Sequence, residues 1–371
     1  MVKHFEAAKE KVDFTPSLVI DLPTVERNIA RLHDYAATHQ LAIRPHTKTH
    51  KSRRFAKLQL EAGAQGLTVA KVGEAEVMAL ESNDILIAYP AIDLHRRERI
   101  AKLAQGNFVR VAVDSVEHIS LLAESARKAG STVGILVDVN VGSDRTGVAN
   151  PEESLELAQQ VAQHEGALRL DGIFFYPGQI WNRPEEQIPR LKQVDALLAE
   201  VIELWKTSGL AAPIVSGGST PTAFQSHWIG QQTEIRPGTY LFNDMNTARA
   251  GFCELEDCAA AIVATVVSRA VAGKAVIDAG SKTLTSDRNV TQPDSGHGYV
   301  VEYPAATVVR LSEEHGELDL SRCETQPKLG ERLTIIPNHI CPCVNLQDKV
   351  VLFDNDHKPT PTSIDTRGML S

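Results

Sequence analysis

Residues 43–52 read "IRPHTKTHKS" and place His46, Lys48, His50 and Lys51 directly after a stretch patterned as a helix. Upstream, "TVERNIARLHDYAATHQ" (24–40) sets Val25, Ile29, Leu32 and Ala36 on one helical face. Between the two, "LAIRP" (41–45) reads as a short strand. A basic run after a strand is ordinarily a solvated loop. The alternative is a lysine held at a strand end so that its amine can do chemistry. The fold around the stretch decides between them.

Working outward, short β-branched runs alternate with amphipathic helices. After "LAIRP" come "GLTVA", "DILIAY", "FVRVAV", "VGILVDV", "LDGIFF", "PIVSGG" and "TEIRPGTYLF". Helical patterns such as "VEHISLLAESARKAG" (116–130) and "VDALLAEVIELWKTSG" (194–209) separate them. Strand alternating with helix implies a parallel sheet, and eight such strands over roughly 200–250 residues imply a closed (β/α)8 TIM-type barrel. An open doubly wound sheet is the rival, but no Gly-x-Gly-x-x-Gly follows the first strand. From about residue 256 the pattern changes to "AAAIVATVVSRA", "KAVIDAG", "ATVVRLS", "RLTIIPNH" and "KVVLFDN". These are strand-like runs parted by turns, the mark of a C-terminal all-β domain. The expected division is a barrel over 22–255 and a β-strand domain of 1–21 plus 256–371.

A chain of 371 residues suits two domains, and 43% hydrophobic with 23% charged residues is ordinary for a soluble globular protein. A net charge of -9 argues against nucleic acid as a partner. No run reaches the ~18 apolar residues of a membrane span. The charged start "MVKHFEAAKEKVDFTPS" lacks the apolar segment of a secretory signal. Five cysteines, all in the last third, speak against a disulfide framework and for a reducing cytoplasm.

In such a barrel the working residues stand at the C-terminal ends of the strands. The first strand ends at Lys48, the fifth in "VNVGSDRTG" with Arg145, and the sixth in "FFYPGQIW" with Tyr176. The seventh ends in "SGGST", where Gly218, Ser219 and Thr220 form a loop able to cradle a phosphate. Each has a bland reading: Arg145 as a loop cap, Tyr176 as rim packing, the Gly-Ser loop as a plain turn. Together on one rim they suit pyridoxal 5′-phosphate, with Lys48 forming the Schiff base and Arg145 facing the phenolic oxygen.

"TPSLVIDLPTVERNI", "RPHTKTHKS", "DRTGV", "SGGST", "RPGTYLF", "IDAGSK" and "LSEEHG" resemble the fold-type III pyridoxal-phosphate enzymes. More closely, they are similar to the D-serine dehydratase and D-threonine aldolase group, whose N-terminal domain is alanine racemase-like. The resemblance runs from about residue 15 to "IDTRG" (364–368) and implies a barrel, a β domain and a homodimer. It adds Tyr240 as a further phosphate candidate, and it leaves Arg236 open between the pyridine nitrogen and packing elsewhere.

The resemblance also gives "PNHICPCVN" (337–345) a meaning. His-x-Cys alone is a weak metal signal, because two protein ligands are too few and a buried cysteine is usually a small hydrophobe. Read as a strand, His339 and Cys341 share one face. The family pattern makes them ligands of a divalent ion, zinc or else manganese, beside the cofactor. Cys343, on the same face by alternation, is left out. The implied activity is a lyase acting on small β-hydroxy-D-amino acids. Dehydration to a 2-oxo acid and ammonia is preferred over aldol cleavage to glycine and an aldehyde. The aldolases carry His-x-Asp, and a histidine shortly after the strand-six tyrosine; here "YPGQIWNR" offers Gln179 and Asn182, and neither amide is a base near pH 7. A racemase and a non-catalytic pyridoxal-phosphate carrier are the remaining alternatives.

Overall fold

In the computed structural model, which describes residues 2–371, one unit comprises residues 31–48, 52–238 and 369–371. The other comprises the residues up to 30, with 49–51 and 239–368. The first unit is a barrel. Its strands are Ala42–Ile43, Leu67–Val69, Asp84–Ile87, Phe108–Val113, Val133–Val139, Leu168–Phe175, Ile214–Gly217 and Glu234–Ile235. They correspond one for one to the eight runs read from the sequence, and every neighbouring pair is parallel. The ring closes just beyond the first strand, where Thr47 N–H donates to Thr68 O at 2.8 Å and Thr68 N–H to Pro45 O at 2.9 Å.

Local chemistry sets where the intervening helices begin and end. Ser115 caps Val116–Ala129, accepting from the His118 N–H, and Gly130 closes that helix in the left-handed region. Asn150 accepts from the Glu153 N–H at 2.9 Å, with Pro151 at the first helical position, where a missing N–H costs nothing. The period-two alternation of the strands then divides their side chains. Ile85, Ile87, Val109, Val111, Val133, Ile135 and Val137 face the helices and form the large core. Leu86, Ala112, Leu136 and Phe174 form a smaller separate cluster on the other face, inside the barrel.

A chain of charged residues links the strands side to side. Arg44 Nε donates to Glu234 at 2.8 Å and Arg44 Nη1 to Asp84 at 2.6 Å. Arg110 bridges Asp84 and, at 2.8 Å, Asp171. The hydroxyl of Ser216 donates to the second oxygen of Glu234 at 2.6 Å. Such a chain adds little net stability over apolar packing, yet losing one member strands a buried charge. The last strand is shorter than "TEIRPGTYLF" suggested, because Pro237 has no N–H to donate and the chain turns into a 3-10 segment at Thr239–Leu241.

The second unit is built on a nine-stranded sheet. Its strand Ala260–Ser268 pairs with Ser17–Asp21, Lys274–Ile277 and Arg332–Ile336. Ser17–Asp21 also runs parallel to Lys349–Phe353. The texture is strand-rich as expected, but short helices interrupt it, and one corrects the sequence reading. Residues 339–345 are not a strand: the strand ends at Ile336, and Ile340–Asn345 is helical with His339 as its N-cap. Pro337 cannot donate to a ladder, and Pro342 falls in the first helical turn, where it is tolerated. No helix among the described residues is long and apolar enough to cross a membrane.

Candidate active site

Lys48 is exposed in a segment that is otherwise buried from Ile43 to Ser52. Thr47 and Thr49 on either side are at most 1% accessible. Its own N–H points back to His46 Nδ1 at 3.4 Å. A solvated basic loop would expose all its charges; here one amine emerges and the rest are packed. Lys51, the competing lysine, is 4% exposed and donates to Thr366 O at 3.3 Å.

The loop after the fifth strand is shaped to present Arg145. Asn140 N–H bonds Val148 O, and Val148 N–H bonds Asp138 O, both at 2.9 Å, closing the loop at its base. Within it, Asn140 Oδ1 accepts from Gly142 N–H at 2.9 Å and Asp144 N–H at 3.2 Å. The exposed guanidinium of Arg145 lies 4.6 Å from the centre of the Tyr176 ring, so the structure brings these two predicted residues together. Below them Asp138 is 6% exposed. Burial pushes its carboxyl up to about 6, against the Thr146 hydroxyl and the charges of Arg236 and Arg145.

The "SGGST" loop follows the seventh strand as expected. Gly217 is required by contact, since a Cβ there would lie 1.9 Å from the Phe175 ring, and Gly218 by its φ of +88°. Ser219 N–H donates to Thr222 Oγ1 at 3.2 Å, so a hydroxyl already holds a backbone donor that an anion would take over. That acceptor, Thr222, escaped the sequence reading. Arg236 is buried and donates to Ser216 Oγ at 2.8 Å and Phe175 O at 2.9 Å, with its guanidinium 3.8 Å from the Phe174 ring centre. Burial lowers it to about 10 despite Glu234 and Asp138. Tyr240 lies in the other unit, buried within the 3-10 turn Thr239–Leu241.

His339 and Cys341 influence each other electrostatically, each favouring the other's charged form, even though they sit on a helix start rather than a strand. The hydroxyls of Thr49 and Thr239 lie 3.2 and 3.5 Å from the Cys341 sulfur. Burial disfavours the thiolate, but His339 and these hydroxyls outweigh it and lower the pKa. Burial likewise opposes the imidazolium, and the Cys341 thiolate with Asp244 and Asp287 raises His339 to about 10. His339 Nδ1 bonds Asp287 Oδ2 at 2.8 Å, the carboxylate–imidazole arrangement that orients metal-ligating histidines. Cys343 instead turns inward, its thiol donating to His339 O at 3.3 Å and Leu284 O at 3.4 Å. Burial raises it far above the usual thiol range. Imidazole plus thiolate is a borderline-soft donor set that fits zinc. Among the described residues, no group of three or more histidine, cysteine or acidic side chains forms a cage. Asp287 is 52 residues from His339, and nothing in the local sequence pointed to it.

The model of the alanine racemase N-terminal domain matches residues 20–246, well over half of the chain. The chain belongs to the alanine racemase N-terminal domain family. A putative serine dehydratase domain matches residues 259–353 of this family member. It is similar to the D-threo-3-hydroxyaspartate dehydratase of Delftia sp. (strain HT23), at 33% identity over 88% of this chain and 90% of the relative. It is also similar to a solved D-threonine aldolase from Filomicrobium marinum, with 31% identity, a TM-score of 0.88 and coverage of 96% and 97%. A cysteine-to-alanine form of a D-threo-3-hydroxyaspartate dehydratase, described as metal-free, matches at 30% identity and a TM-score of 0.87, covering 96% and 98%. The expected alanine racemase-like fold is therefore met. At the level of this group, so is the expectation of a pyridoxal-phosphate-dependent lyase.

Proposed function

We propose that this lyase dehydrates a β-hydroxy-D-amino acid to a 2-oxo acid and ammonia, using pyridoxal 5′-phosphate and a divalent ion, zinc or manganese. The observation that carries the reading is Gln179. It occupies the stretch after the strand-six tyrosine, and its amide is spent on Val141 O at 2.6 Å. An amide so held takes no proton from a β-hydroxyl, which aldol cleavage requires.

When bound, pyridoxal phosphate supplies an electron sink for the α-carbon, and the divalent ion a Lewis acid for the departing hydroxide. The chain's residues do the rest. Lys48 would carry the cofactor and, once freed, would accept the α-proton at its amine. Arg145, against the Tyr176 ring, would pair with the phenolic oxygen. Gly218, Ser219 and Thr220 would hold the phosphate, with Tyr240 a weaker candidate for the same group. His339 and Cys341 would hold the ion, with Asp287 fixing the imidazole. In the solved D-threo-3-hydroxyaspartate dehydratase variants, the histidine and the cysteine replaced by alanine lie two residues apart, as His339 and Cys341 do. We place the enzyme in the cytoplasm as a homodimer, in keeping with its five free cysteines and with the resemblance.

Aldol cleavage is the second reading, favoured by the similarity to the D-threonine aldolase. A product screen over D- and L-serine, threonine and 3-hydroxyaspartate, with zinc or manganese present, separates the two. Ammonia with a 2-oxo acid supports the proposal. Glycine with an aldehyde replaces it with the second reading, and inversion alone removes both.

A further inference from the structure

Asp244 holds the start of the helix that bears His339 and Cys341. It is 1% exposed and is the N-cap of Met245–Arg249. Its Oδ1 accepts from Thr247 N–H at 3.1 Å, and its Oδ2 accepts from Ile340 N–H, also at 3.1 Å. One carboxylate thus serves the N-termini of two helices. The helix Ile340–Asn345 has no cap of its own, since the His339 side chain makes no capping bond and is turned to Asp287. The clasp is reinforced on both sides. Met245 N–H donates to Pro337 O at 3.0 Å and Asn246 N–H to Asn338 O at 3.1 Å. The Thr247 hydroxyl in turn accepts from Asp244 N–H at 2.9 Å and lies 3.3 Å from Asp244 Oδ1, steadying the carboxylate.

An ion held by one neutral imidazole and one thiolate keeps a net positive charge. A buried carboxylate that grips the backbone between both ligands offsets that charge without occupying a coordination position. We propose that Asp244 is a positioning residue for the divalent ion: it fixes the backbone from which His339 and Cys341 project and supplies the balancing charge. This rests on the reading of His339 and Cys341 as metal ligands.

The test is a cobalt(II) titration of the chelator-treated, pyridoxal-loaded protein, following the thiolate-to-cobalt charge-transfer band. In the wild type a band absent altogether would overturn the metal reading and this inference with it. With the band present, Asp244→Asn is expected to bind cobalt ~10- to 100-fold more weakly. The visible pyridoxal absorbance should be unchanged in that variant, which a general loss of structure would not leave intact. Cobalt affinity within about twofold of wild type, with the same spectrum, overturns the positioning role alone. Should Asp244→Asn not fold, Thr247→Val removes the hydroxyl that steadies the carboxylate. It is expected to weaken cobalt by about tenfold, and unchanged binding has the same overturning force.

Discussion

Replacing Asp138 with asparagine should stabilise the chain, by an amount that depends on pH. Burial raises the Asp138 carboxyl from 3.8 to about 6. A shift of roughly two units corresponds to about 3 kcal/mol. Because the folded form binds the proton more tightly, native chains retain it between about pH 4 and 6 while unfolded chains have released it. Stability therefore falls as pH rises through this window. Above it the full cost of a buried carboxylate is present, and below it the cost vanishes. The substituted amide would keep an acceptor for Thr146 and carry no charge. The gain over wild type should therefore approach about 3 kcal/mol at pH 8 and fade to nothing near pH 4. Urea unfolding of both cofactor-free proteins at half-unit steps from pH 4 to 8 reads the difference directly. A gain that does not vary with pH, or a variant less stable at pH 8, would refute the reasoning. The charge would then be compensated by Arg236 and Arg145 more fully than burial penalises it.

Lys48→Ala should abolish the visible absorbance of lysine-bound pyridoxal, whereas Lys51→Ala should retain it and lose thermal stability; borohydride trapping on Lys51 would reverse the assignment. Glu234→Gln leaves Arg44 with one fewer carboxylate in a buried site and should cost about 3–5 kcal/mol in chemical unfolding. A loss well below 1 kcal/mol would mean that Asp84 alone satisfies the guanidinium. Chelation should stop ammonia release from whichever β-hydroxy amino acid proves to be the substrate, with the pyridoxal absorbance largely intact. Full turnover by the metal-free enzyme would defeat the proposed role of the ion.

The barrel was legible because each strand is a short apolar run bracketed by helix-period sequence, and short-range physics dictates both. Lys48, Arg145 and Tyr176 were singled out from strand order alone, and the structure brings Arg145 and Tyr176 together. The metal pair was read on a mistaken element. Alternation and a helix start both bring residues two apart into reach, so the residues could be right while their conformation was wrong. Asp287, Asp244 and Thr222 stayed hidden because each acts at long range or through a hydroxyl, and neither leaves a period in the sequence. The charges inside the barrel were hidden for a similar reason. Arg110 interrupts "FVRVAV" without announcing that its partners are Asp84 and Asp171.

The pairing of Arg44 with Glu234 spans 190 positions of the chain. Arg44 follows the first barrel strand to be synthesised, and Glu234 opens the last. A nascent barrel therefore carries an incompletely matched guanidinium until its final strand has emerged, and any fragment ending earlier would have to keep that charge in water. The ring is sealed by its two ends meeting, which sets a minimum chain length below which this half of the molecule has no finished form to settle into.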